Sequence, residues 1–151
     1  MTLRELFLPT ISRWLGLLAL AVLLGGLVLD LFLLPRRAAE VESARRRLRR
    51  WTTAALAVLV VTSAGDLIAR ARVMGGGDFS QLTTALPLVL SRTHFGAIWI
   101  VRGVALAVLA IVSLFGSLPA RAAGLLLSLT IALTGSLSGH AADWEIGRAH
   151  V

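Results

Sequence analysis

Apolar residues fall into four long blocks, at residues 14–34, 51–68, 95–115 and 122–142, separated by polar or arginine-bearing connections. The blocks are 18 to 21 residues long, close to the ~20 that an α-helix rising ~1.5 Å per residue needs to cross a ~30 Å hydrocarbon layer. The pattern predicts an all-α polytopic membrane protein, with four transmembrane helices in an antiparallel bundle. Between the second and third blocks, Met74-Gly75-Gly76-Gly77-Asp78 predicts a flexible turn. Ser80-Gln81-Leu82-Thr83-Thr84-Ala85-Leu86-Pro87 then predicts a short, capped interfacial helix.

Composition agrees with a bilayer as the solvent. Hydrophobic residues make up 57% of the 151 and mean hydropathy is +0.85, against an apolar share of ~45–50% in soluble domains. The formal charge of +7 is concentrated: of 15 basic residues, all arginine, Arg36, Arg37, Arg45, Arg46, Arg47, Arg49 and Arg50 lie in one short connection. That distribution marks membrane topology rather than a nucleic-acid surface, so no nucleic-acid partner is expected. With no cysteine there is no disulfide or thiolate site. Any metal must use His, Met, carboxylate or backbone ligands.

The arginine-rich connection, residues 36–50, should be cytoplasmic by the positive-inside rule, because the longer connection between blocks two and three carries only Arg70, Arg72 and Arg92. An alternative role, binding anionic lipid head groups, fits the same orientation. The amino terminus is then outside. Arg4 and Arg13 precede the first block as they would in a signal peptide, yet the block is long and ends at Leu33-Leu34-Pro35-Arg36-Arg37 without a small-residue cleavage site, so a retained span is expected. Asp30 is expected to pair with Arg36 and Arg37 at the interface, and Glu42 to support Arg46 four residues on.

Small residues mark expected helix contacts: Gly16, Gly25 and Gly26 in the first span, and Gly124, Ser128, Ala132 and Ser136 every four residues in the last. Arg102 lies eight residues, or about 12 Å, below His94 and should face the bundle interior, with Asp66 as its nearest carboxylate by depth.

His94 begins the third span and His140 ends the fourth, so opposite helix directions bring both to one membrane face. Asp66 and Met74 approach from the second span and the loop after it. Imidazole and thioether suit copper and a carboxylate suits harder ions. A boundary histidine can equally hydrogen-bond a carbonyl or a head group, and the spacing leaves both readings open. Three successive glycines without a following Gly-Lys-Ser/Thr make no phosphate loop. The chain has no Ser-His-Asp order, paired carboxylates or HExxH, so an enzyme is not expected.

Thr93-His94-Phe95-Gly96-Ala97-Ile98-Trp99-Ile100-Val101-Arg102, followed by Gly135-Ser136-Leu137-Ser138-Gly139-His140-Ala141-Ala142, resembles the membrane domain of the copper resistance protein D family. The likeness extends to the four-span order and the long loop before Thr93. It implies a bacterial inner-membrane protein with a periplasmic amino terminus, acting in copper transport or homeostasis. Copper would be bound or transported as substrate, with no organic cofactor, and a periplasmic copper-binding protein would be a partner beside the bilayer itself. His94, His140, Asp66 and Met74 are the expected ligands. Two features depart from the family pattern: Arg13-Trp14-Leu15-Gly16 stands where members often carry an early histidine, and members continue beyond Gly-His-Ala into further spans. One choice of codons for residues 146–151, Ile-Gly-Arg-Ala-His-Val, reads as the opening of a common sequencing adapter. The expected domain is therefore residues 1–145, an amino-terminal fragment, with His150 discounted. Two alternatives remain: a haem-binding electron carrier using two histidines as axial ligands, and a structural membrane module without a ligand.

Overall fold

The computed structural model describes the backbone of residues 3–35, 41–74 and 82–148, and side chains over 10–35, 41–73 and, Ala85 apart, 83–137. Among the described residues the structure is helices joined by short connections, with no strand. Helix α1 spans Leu3–Val28 and runs into a π turn at Leu29–Leu33. Helix α2 spans Glu42–Met74, α3 Leu82–Arg92, α4 His94–Val112 and α5 Leu118–Arg148. Four of these are long and apolar enough to cross a membrane, over Thr10–Leu33, Glu42–Val73, His94–Val112 and Leu118–Leu137. No more than 22% of the most apolar stretch of any span is buried inside the protein, and Trp14, Phe32, Val61, Leu114 and Leu126 point outward. A surface this apolar needs lipid around it. The chain is a multi-pass membrane protein.

The spans differ from the hydrophobic blocks where helix and bilayer boundaries part company. Helix α2 begins at Glu42, nine residues before the block that marks it, because arginine is a good helix former even where it cannot enter lipid. Part of the arginine-rich connection is thus the first turns of a helix rather than a loop. The short helix α3 runs through Pro87 to Arg92. The proline gives up one backbone donor, but its fixed φ is itself helical.

Helices α1 and α2 form a tight antiparallel pair. A Cβ on Gly26 would collide with the Thr52 methyl, and one on Gly16 would sit 3.2 Å from the Thr62 hydroxyl oxygen. Four residues beyond Gly16, the Ser12 hydroxyl donates to Asp66 Oδ1 at 3.4 Å. Gly26–Thr52, Gly16–Thr62 and Ser12–Asp66 therefore step along the two helices in strict opposite order. Gly25, expected to share this contact, meets nothing within 4 Å.

Helix α5 packs on α4 and α1. Gly124 lies against Leu109 and Leu27, and Ser128, Ile131 and Thr134 are buried while Ser136 is exposed. The expected stripe at every fourth residue holds for two steps and then leaves the interface. Four residues turn the helix by about 400°, so the stripe drifts ~40° per step and the contact passes to Ile131 and Thr134. The core is Ala19 and Leu23 of α1, Ala55, Leu56 and Leu59 of α2, Ala105, Leu106 and Leu109 of α4, and Ile131 of α5. Hydroxyls inside it bond back to their own helices: Thr62 to Val58 O (2.9 Å), Ser128 to Gly124 O (2.8 Å) and Thr134 to Ile131 O (2.7 Å).

At the arginine-rich end one carboxylate ties three helices together. Asp30, in the π turn, meets Arg45 Nε of α2 and Arg121 Nε of α5, each at 3.2 Å. The expected partners, Arg36 and Arg37, lie outside the described residues. Glu42 pairs with Arg45, three residues on, at 3.8 Å and not with Arg46. That choice places one arginine between two carboxylates.

Candidate functional site

The opposite end of the bundle is built around the corner between α3 and α4. Thr93 sits between the helices in extended conformation, with φ −119° and ψ 148°. Its hydroxyl oxygen accepts from Gly96 N–H at 2.9 Å, capping α4, and its hydroxyl donates to Val89 O of α3 at 2.6 Å. Gly96 is pressed onto α3: an added Cβ would meet Val89 O and would lie 2.6 Å from Leu90 Cα and O. The Thr93 and Gly96 of the sequence motif are thus a joint. Phe95 and Trp99 sit one turn apart with ring centroids at 5.7 Å.

His94 occupies the first helical position after this cap and is exposed. Arg70 of α2 lies over the Phe95 ring at 4.9 Å, which joins the far end of α2 to the start of α4. Asp66 is one turn of α2 deeper than Arg70 and half-buried. The structure therefore brings His94 and Asp66 to the same end of the bundle, while the described hydrogen bond of Asp66 points inward to Ser12. Met74 is the last residue of α2, and His140 lies within α5. Both side chains lie outside the described ones. Among the described residues, no group of three or more His, Cys, Asp and Glu side chains is placed to hold a metal.

Arg102 faces the interior, as its depth requires. Its Nε donates to Ser63 Oγ at 3.2 Å, its guanidinium carbon lies 5.4 Å from the centre of the Trp99 ring, and Nη1 is 3.5 Å from where a Cβ on Gly135 would be. Its direct partner is a hydroxyl, and no ion pair to Asp66 closes. Ser63 and Asp66 lie one turn apart on α2, and of the two it is Ser63 that bonds Arg102.

Sequence reasoning missed Ser12, Ser63 and Arg121. The first is recoverable by counting back from the α1–α2 hairpin, which sets Ser12 opposite Asp66. Arg121 is the basic residue at the start of the last span, on the same side of the membrane as Asp30, and charge alone points to it.

A family profile described as Copper resistance protein D-like, N-terminal domain, matches residues 4–150. No curated protein and no solved structure matches the chain.

Proposed function

The chain belongs to the copper resistance protein D-like family, and from that premise we propose that it handles copper in the bacterial inner membrane, receiving the ion at the face where α4 begins. His94 and His140 are the principal ligands, with Met74 and Asp66 in support. The supporting observation is the antiparallel register of α4 and α5. Leu109 lies against Gly124 and Arg102 against Gly135. Continued from that second contact, His94 stands about 12 Å and His140 about 7.5 Å further toward the same face at the helical rise. The α2 end that carries Met74 reaches that face too, through Arg70 on Phe95. Two imidazoles and a thioether are a copper donor set.

Orientation follows from the other end. With the arginines of α2 held in the cytoplasm, the start of α4 faces the periplasm, where a copper-binding protein delivers its ion. Arg102, bonded to Ser63 below this face, then sets a positive charge beneath the entry. Copper that enters is held at the mouth, and passage inward runs against that charge with Asp66 offsetting it.

Competition of the purified protein against a chromophoric Cu(I) chelator tests the proposal. His94→Ala and His140→Ala should each weaken copper by at least the ~10-fold that loss of even a supporting group costs a metal site, and the double variant by more. Unchanged affinity in the double variant refutes it. A Soret band in the membrane-purified protein that disappears with His94→Ala would transfer the two histidines to haem instead.

A further inference from the structure

The arginine-rich end contains a cleft of about 70 Å³ between α1, α2, α5 and the turn joining α4 to α5, which the copper proposal leaves unused. Arg45, Arg49 and Arg121 line it with Asp30 as the one carboxylate among the described lining residues, and with Glu42 reaching Arg45 from outside the lining the described groups leave a surplus of one positive charge. Asp30 engages Arg121 through Nε, and the terminal nitrogens of an arginine are a pair that can grip a phosphate; Arg45 directs its own to Pro35 O and Glu42. Arg49 has no carboxylate partner among the described residues, and its Nη2 lies 3.6 Å from where a Cβ on Gly116 would be. Its guanidinium thus stands between α2 and the α4–α5 turn. The helical period separates these arginines from their neighbours: Arg45, Leu48, Arg49 and Thr52 face the cleft, while Arg46, Arg47 and Arg50 do not line it.

We propose that this cleft seats one anionic phospholipid, its phosphate between Arg49 and Arg121 and its acyl chains along the outer surface of the bundle. The cavity has room for a head-group phosphate but not for chains. Leu27, Leu56, Leu109 and Phe115 also line it, and Phe115 is exposed, as are Phe32, Leu33 and Leu114 at this end of the bundle. A free phosphate would have no use for that apolar surface. Basic pockets between transmembrane helices are a known chemistry for such head groups. The bound lipid would offset the charge surplus that Asp30 leaves and join α2 to α5 at the leaflet boundary.

Native mass spectrometry of the detergent-purified chain tests this, using phosphatidylglycerol and phosphatidylcholine with identical acyl chains. One phosphatidylglycerol should be retained where phosphatidylcholine is lost. Arg49→Gln should weaken it ~10-fold, the scale of a charge-assisted hydrogen bond, while Arg50→Gln, which removes the same charge one residue away, should leave it within ~2-fold. Equal retention of the two lipids overturns the proposal, as does equal weakening by the two variants. Displacement of the lipid by millimolar inorganic phosphate also overturns it, assigning the cleft to a free anion. If Arg49→Gln does not fold, Arg49→Lys carries the test: it keeps the charge and loses the fork, and unchanged retention would overturn the phosphate grip.

Discussion

Replacing Gly96 with alanine should damage the α3–α4 corner by a calculable amount. The new methyl would lie 2.6 Å from Leu90 Cα and O, 0.8 Å short of the 3.4 Å at which ordinary contact begins. These are backbone atoms, so no rotamer relieves the clash and α3 must move as a body. A displacement of that size would stretch the 2.6 Å bond from Thr93 to Val89 O toward 3.4 Å, outside the ordinary O–H···O range and much weakened. Overpacking costs ~1–3 kcal/mol and a disturbed cap ~1 kcal/mol, against ~1 kcal/mol returned by alanine's better helix propensity. The net loss is about 1–3 kcal/mol. Gly103→Ala is the control, since a Cβ there meets nothing within 4 Å and should be neutral or stabilising by up to ~1 kcal/mol. Denaturant titration in mixed micelles, followed by helical circular dichroism, reads both. Wild-type stability in Gly96→Ala, or a greater loss in Gly103→Ala, would refute the close-approach account of this motif.

Three further outcomes follow from the same geometry. Asp30→Asn should destabilise the bundle by about 1–3 kcal/mol, because Arg45 and Arg121 lose their shared charged acceptor; a midpoint equal to wild type in the same titration would mean that this network does not hold α1, α2 and α5 together. Gly26→Leu should separate α1 from α2 by forcing a side chain into Thr52, cutting the yield of folded protein far more than Gly25→Leu, and equal yields would contradict the register of the pair. Because the chain has no cysteine, single cysteines at Arg47 and Ser91 can be labelled in whole cells with an impermeant maleimide. The Ser91→Cys variant should label and Arg47→Cys should not, and the reverse pattern would invert the proposed orientation.

Four spans, their antiparallel order and the interfacial helix were legible because bilayer thickness imposes a length on every apolar block. Helix ends were not, since hydropathy reports where lipid stops and Glu42 to Arg50 continue as helix in the polar region. Charge partners were legible by depth but not by identity. Asp30 takes Arg45 and Arg121, from helices that only the fold brings near, and Arg102 takes Ser63, a neutral group that charge matching overlooks. The small-residue stripe on α5 was half legible, because a four-residue spacing follows one helix face for only two steps. At the candidate site, the sequence offered His94 as a candidate together with the motif around it. It did not reveal that Thr93 and Gly96 act as a joint, which depends on the distance between two helix backbones.

X-ray absorption at the copper edge, recorded on the chain loaded with one equivalent of copper, addresses the shared imidazole site directly. Wild-type protein should show the outer-shell scattering of two imidazoles, and His94→Ala and His140→Ala should each show one. Two-imidazole scattering that persists in either variant, or no imidazole scattering in the wild type, would contradict the claim that these residues hold copper together.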